Sequence, residues 1–367
     1  MYIKCNLPDY PVKRDMWDDI AEDGRPIAVY GMGNGADKLF ARLEKYGITP
    51  SAVFASDGFV RGHSFRGYEV KSLSEVAAEY DDFLILLSFA SSRTEVLDML
   101  REIDARYSML VPDMPVAGEE YFDKDFYNEH YSDIVEVYEM LADEDSRNAF
   151  AAIINYKLSG KAEYLFGCFS DTDEIYSLLP EQIESAVDAG AYNGDTVREL
   201  LGYRSGIKSV IAIEPDARNF RKLSRYKSEF GIAGLDVYNA AVWSEDGDGS
   251  FIGSGNRNSS VNSTSSFKNR SESVRLAKID TLAKDLCIDY IKYDVEGAES
   301  EALKGSSGVI SRDMPALLIS AYHRSEDVFA LPLFVFRNYP GYSLYIRRTL
   351  CLPAWEIALI AVKRVEK

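Results

Sequence analysis

The chain has 367 residues, 46% of them apolar and 27% charged, and its 59 acidic against 41 basic side chains leave a net charge of −18. That length holds two domains of ordinary size, each able to bury a core, and excludes a single small module. The acidic excess repels phosphate backbones and anionic lipid headgroups, so neither a nucleic-acid nor a membrane partner is expected.

No apolar run reaches the ~20 residues of a membrane-spanning helix, the stretch 329–336 being broken by Pro332. The opening residues, MYIKCNLPDYPVKRDMWDD, are too polar for a secretory leader. Cys5, Cys168, Cys287 and Cys351 lie far apart, with no paired spacing, and read as reduced thiols of a cytoplasmic protein.

After an acidic lead-in over residues 1–24, an apolar β-type run at 26–30 ends in the turn GMGNGA, and helical spacing follows over 35–46. Strands at 52–56, 83–90 and 107–111 alternate with helices at 73–80 and 93–103, a pattern that requires a parallel sheet with crossover helices. Residues 25–115 are therefore expected to form a small Rossmann-like domain. Its turn carries Gly31, Gly33 and Ala36 in G-x-G-x-x-A form, with Asp57 twenty-four residues beyond Gly33, a weak nucleotide-site signal.

Residues 116–178 read as a helical connector, with helices at 133–141 and 146–158. From 179 to 367 a second alternating run predicts strands at 185–189, 209–214, 236–242, 290–294 and 316–322. Strands at 343–347 and 356–362, with no helix between them, predict an antiparallel hairpin at the sheet edge. Helices are expected at 196–201, 217–229, 298–306 and 327–338. Residues 247–273, rich in Gly, Ser and Asn, predict a long loop acting as a lid.

The chemistry concentrates in this second run. In VDAGAYNGDT, Asp188 and Gly190 end a strand, and Gly194 precedes a helix opening with Asp195 and Thr196. Such a turn brings a ligand close to the backbone at the carboxyl ends of parallel strands. Twenty-four residues after Gly190, Glu214 ends the next strand in IAIEPD, where a carboxylate accepts ribose hydroxyls. The two motifs together point to an adenosine-type ligand. Asp195 at the helix start opposes a pyrophosphate, which favours a positively charged ligand such as the sulfonium of S-adenosylmethionine.

The motifs VDAGAYNGDT, IAIEPDARNF, NAAVWSEDG, KIDTL and IDYIKYDVEGAESEALKG occur in the order and spacing of FkbM-type S-adenosylmethionine-dependent methyltransferases, and residues 180–365 resemble that family. Tyr293 departs from its usual Ile or Met. The resemblance implies an α/β fold, a seven-stranded Rossmann-like methyltransferase domain, and O-methylation of a hydroxyl on a saccharide, polyketide or other metabolite. It implies that Asp188, Gly190, Tyr192, Asn193 and Gly194 surround the methionine part of the cofactor. Glu214, flanked by Pro215 and Asp216, would hold the ribose, and residues 239–242, including Ala241, would flank the adenine.

Methyl transfer to an alcohol requires placement of the acceptor and removal of a proton. Asp294, at the end of the fourth strand, and Glu296 and Glu299 just beyond it are candidate bases, or Asp294 could help hold a divalent metal. His323 ends the fifth strand, and a metal-free mechanism with His323 as base is favoured over a metal-dependent one. Competing readings are a nucleotide-sugar or NAD-dependent oxidoreductase or epimerase working on the N-terminal glycine turn, and a non-catalytic nucleotide-binding scaffold. Whether copies of the chain assemble into a homo-oligomer is left open.

Overall fold

A computed structural model describes residues 4–56, 58, 60, 62–230, 234–252, 260–261 and 272–364. The expected nucleotide-site residue Asp57 lies outside them.

The N-terminal sheet contains β1 (Ile27–Tyr30), β2 (Ala52–Phe54), β3 (Ser64–Phe65), β4 (Tyr68–Lys71), β5 (Leu84–Leu87) and β6 (Ser108–Leu110), in the order β3-β4-β2-β1-β5-β6. Every pairing is parallel except β3 with β4. All residues of β1 and β5 are buried, as continuous apolar runs covered by helices on both faces must be. The crossover helices are Asn34–Lys45, Leu73–Glu79 and Thr94–Arg106. The lead-in adds a helix, Met16–Asp23, begun by a capping box in which Asp15 receives the amides of Trp17 and Asp18.

The connector is built from helices Lys124–Glu129, Tyr131–Met140, Glu144–Ser159, Glu163–Phe166 and Thr172–Leu178. Helix Glu144–Ser159 buries residues around most of its girth, Phe150, Ile153 and Ile154 among them. These side chains share one apolar cluster with Tyr30 and Leu87 of the first sheet and Ile319 and Leu344 of the second. A helix that is apolar on several faces needs partners on each, and here both sheets supply them.

The C-terminal half contains β7 (Ser185–Ala189), β8 (Ser209–Ile213), β9 (Leu235–Tyr238), β10 (Ala241–Val242), β11 (Gly247–Ile252), β12 (Ser260–Val261), β13 (Glu272–Ala277), β14 (Tyr290–Tyr293), β15 (Ala316–Ser320), β16 (Tyr342–Arg348) and β17 (Ile357–Lys363). Seven of them form a sheet ordered β16-β17-β15-β14-β7-β8-β9. Only the pairings that involve β17 are antiparallel. The order reverses between β7 and β14, so helices leave to opposite faces there and a crevice opens beyond the carboxyl ends.

Two expectations need correction. The strand expected over 236–242 breaks at Asn239 and Ala240, and Ala241–Val242 joins a separate four-stranded sheet ordered β10-β13-β11-β12. The stretch 247–273 is not one long loop, because its flanks are β11 and β13, paired antiparallel. The centre of the expected lid, 253–259 and 262–271, lies outside the described residues. Among the described residues no helix is long and apolar enough to cross a membrane.

Candidate active site

A cavity of about 590 Å³ occupies the crevice at the carboxyl ends of β7, β8, β14 and β15. Gly190, Tyr192, Asp195, Thr196, Glu214, Pro215, Ala241, Asp294, Glu296 and His323, all expected in the site, line it. Asp188 sits just beneath, and Asn193, Gly194 and Asp216 stand outside the wall. Asn193 accepts from Arg198, and Asp216 caps helix Ala217–Phe230 by accepting the amides of Arg218 and Asn219.

The turn after β7 depends on Gly190. Its φ is +87°, and a Cβ there would lie 1.8 Å from the carbonyl oxygen of Asp294, so the backbones of two neighbouring strand ends meet with no room for a side chain. Tyr192 takes a φ of +45°, rare for a residue with a side chain, and donates its amide to Glu214 Oε2 at 2.9 Å. The amide of Asp216 reaches Glu214 Oε1 at 2.8 Å. Both carboxylate oxygens are thus fixed by backbone, yet each keeps a lone pair for a ligand hydroxyl. Burial pushes Glu214 up to about 7 against the pull of those two amides.

On the other side of the crevice, Lys292 Nζ lies 3.3 Å from Asp294 Oδ2 and 3.9 Å from Asp188 Oδ1. Lys292 lies on β14 and Asp294 immediately follows its end, two residues on, and their side chains meet on one side of the sheet. Burial opposes the charge on Lys292, but Asp294 and Asp188 outweigh it and raise its pKa. Burial raises Asp188, which Thr196 also contacts through its hydroxyl. Asp294 is lowered on balance, because Lys292 and His323 overcome its own burial.

His323 is 1% exposed and surrounded by carboxylates. Its Nδ1 lies 2.9 Å from Glu299 Oε1, and its Nε2 lies 3.6 Å from Asp294 Oδ1 and 3.5 Å from Glu296 Oε2. Burial alone would lower its pKa, yet the three carboxylates hold it up at about 10. The expectation of His323 as a metal-free base meets a geometry in which three neighbouring carboxylates favour the protonated imidazole. Glu296 opens onto the cavity from a strained backbone position, φ +55°, and burial lifts it to about 8.

The remaining wall comes from outside the second sheet. Ala90, Ser91, Ser92 and Arg93, which follow β5, line the cavity together with Val116 of the connector. Ser91 exchanges two backbone hydrogen bonds with Leu352, in the turn between β16 and β17, and the following Trp355 and Glu356 also line the wall. Sequence reasoning missed these residues and Lys292. The Lys-x-Asp spacing before Asp294 could have flagged Lys292; nothing local marks Ser91.

The glycine turn of the N-terminal sheet has a packing role. A Cβ on Gly35 would stand 2.1 Å from the carbonyl oxygen of Ser88, so helix Asn34–Lys45 reaches the end of β5 only because that residue lacks a side chain. Lys38 from the same helix donates to the carbonyls of Pro115 and Val116, tying the helix to the segment that passes the cavity.

A doubly wound sheet of this order, with an acidic crevice at its switch point, defines a Rossmann-like methyltransferase fold. Residues 188–341 match the family model of the methyltransferase FkbM domain. Among solved structures, the chain is similar to a methyltransferase FkbM from Methylobacillus flagellatus KT, with 21% identity, a TM-score of 0.68, and coverage of 98% of this chain and 94% of that one. The likeness extends through the N-terminal sheet. An rRNA methylase from Streptococcus thermophilus shares 14% identity over 53% of this chain and 93% of its own, at a TM-score of 0.33. A SAM dependent methyltransferase from Aquifex aeolicus shares 13% over 55% and 92%, at 0.30. No curated protein matches by sequence.

Proposed function

We propose that the chain transfers a methyl group from S-adenosylmethionine to a hydroxyl of a saccharide or related small metabolite. One observation carries this reading: the crevice at the strand switch point joins a backbone-anchored carboxylate, Glu214, to a cluster of further carboxylates, the buried Asp188 and the half-buried Asp294 and Glu296. Asp188 Oδ1, which makes no hydrogen bond, and the close-packed turn at Gly190 fit a ligand that is a nucleoside at one end and cationic at the other. When bound, the cofactor supplies an electrophilic methyl group on a positively charged sulfur.

In this reading Glu214 accepts the ribose hydroxyls, and Ala240, Ala241 and Val242 give the adenine an apolar strip. Asp188, held by Thr196 and Lys292, keeps the methionine end of the crevice negative. The acceptor enters between Ser91–Arg93 and Trp355, and its hydroxyl faces Glu296. As the C–O bond forms and the C–S bond breaks, the hydroxyl proton passes to the Glu296 carboxylate, which lines the cavity and, unlike Asp294, is not engaged by Lys292. His323 fixes Asp294 and Glu299 rather than taking that proton. Small hydroxylated acceptors suit the wall, since Ser91, Ser92 and the indole of Trp355 offer hydrogen-bonding groups beside a flat apolar ring.

Calorimetric titration with S-adenosylhomocysteine tests the cofactor half. Saturable binding that Glu214→Ala weakens at least tenfold is expected, and tight binding of NAD(H) with none of S-adenosylhomocysteine would replace this reading with an oxidoreductase. Incubation with methyl-labelled cofactor and a panel of glycosides, with alkali-stable label in the product, tests transfer to oxygen.

A further inference from the structure

Among the described residues, the charge around His323 does not balance. Asp294, Glu296 and Glu299 contact the imidazole directly, and Asp327, 4% exposed, adds a fourth carboxylate against Glu299. The cations facing them are the imidazole itself and Lys292, which is shared between Asp294 and Asp188. Arg324, the other cation nearby, donates its Nε to the carbonyl of Gly297 instead. Carboxylates crowded in such excess, with Glu299 and Asp327 buried and Asp294 and Glu296 half-buried, need a further positive charge or protons.

Three atoms here lack the hydrogen bonds that buried polar groups normally make. Asp294 Oδ1, Glu299 Oε2 and His323 Nδ1 are each buried and without a hydrogen-bond partner. The approach of Nδ1 to Glu299 is close in distance but not aligned as a hydrogen bond. One ligand atom from each of Asp294, Glu299 and His323 can be chosen so that all three lie within 4.8 Å of one another. Ligands about 2.1 Å from one ion sit roughly 3 to 4.2 Å apart, so a pair at the outer limit closes by roughly 0.6 to 1.8 Å, within reach of side-chain rotation.

We propose that Asp294, Glu299 and His323 form a binding site for one divalent metal ion at the acceptor end of the cavity, with Glu296 and water completing its coordination. Two carboxylates and one imidazole suit Mn²⁺, Co²⁺ or Zn²⁺ better than Ca²⁺. The ion takes the place of the proton on the imidazole and supplies the missing positive charge. Asp294 and His323 line the cavity, whereas Glu299 lies behind them on helix Glu299–Lys304, so the ion is open to the acceptor on one side only. Its chemical use rests on the methyl-transfer reading: an acceptor hydroxyl coordinated there loses its proton more readily, and the proton still leaves to Glu296 or solvent. Binding of the ion does not rest on that reading.

The test uses the full chain, stripped with chelator and dialysed, titrated with Mn²⁺ alone and followed by electron paramagnetic resonance of the free ion and by calorimetry. One site is expected, at least tenfold weaker in both Glu299→Gln and Asp294→Asn, and unchanged within twofold in Glu214→Gln. Co²⁺ should show visible absorption bands that His323→Gln alters. Circular dichroism identifies any variant that fails to fold, and the wild-type Co²⁺ spectrum then still decides the matter. Absence of any Mn²⁺, Co²⁺ or Zn²⁺ site in the wild-type chain overturns the proposal, as does binding that all folded variants retain. S-adenosylhomocysteine titrated into the same samples separates the two readings: cofactor binding without metal binding removes only the metal site.

Discussion

Ser91 and Leu352 exchange both of their backbone hydrogen bonds, at 2.9 and 3.0 Å, although 261 residues (352 − 91) separate them in sequence. This short antiparallel bridge pins the loop after β5 of the first sheet to the hairpin turn of the second, across the mouth of the cavity. Ser91→Pro removes one of the two donors and should cost about 1 kcal/mol, read as a lowered Tm. Because the cofactor residues come from the second sheet, affinity for S-adenosylhomocysteine should change less than threefold, while turnover of any acceptor falls at least tenfold. Equal losses in both would place the loop in the cofactor site instead.

Gly35 separates a packing role from a binding role for the N-terminal glycine turn. Gly35→Ala puts a methyl 2.1 Å from the Ser88 carbonyl oxygen, and the helix must shift to admit it. A loss on the order of 2 kcal/mol in denaturant unfolding is expected. Gly33→Ala, where a Cβ meets nothing within 4 Å, should be nearly neutral in stability. If Gly33→Ala abolishes binding of a nucleotide at this turn, the packing account is incomplete.

Lys292 holds two carboxylates at once, the buried Asp188 and the half-buried Asp294. Lys292→Met leaves Asp188 and Asp294 facing each other without the cation, and breaking a buried pair in this way typically costs about 3 to 5 kcal/mol. The loss should be smaller at pH 5, where the carboxylates can take up protons, than at pH 8. Thermal unfolding at both values checks it, and an equal loss at both would mean that Lys292 acts through packing of its methylene chain.

The alternation of apolar runs with helical spacing made both sheets legible, and β7 and helix Asp327–Asn338 fall where the pattern puts them. Glu214 and Asp294 could be found because a carboxylate at the end of a parallel strand has one crevice to face. The environment of His323 could not be read. Its charge state is set by Glu299, one helical turn beyond the strand end, and by burial, neither of which sequence spacing reports. The hairpin β3–β4 was missed because its strands are two and four residues long, too short for period-two alternation. The break between Tyr238 and Ala241 depends on which sheet accepts the strand, a long-range choice made by pairing of β10 with β13.

Glu214 gives a pH dependence with a definite sign. Its pKa is raised from 4.5 to about 7, chiefly by burial, so the folded chain binds a proton there more tightly than the unfolded chain does. A carboxyl raised in this way contributes stability that is full below about pH 4.5 and is lost as pH rises through about 7. The difference amounts to at most on the order of 3 kcal/mol. Between pH 5 and 7.5 the ligand-free chain should therefore lose Tm, and Glu214→Gln, which stays neutral and keeps the shape, should lose measurably less. Ligand hydroxyls that donate to the ionised carboxylate reverse the trend, so the Tm gain from saturating S-adenosylhomocysteine should grow with pH across the same window in the wild type and stay flat in Glu214→Gln. Parallel slopes for the two proteins, with and without ligand, would remove Glu214 from both the pH dependence and the ribose site.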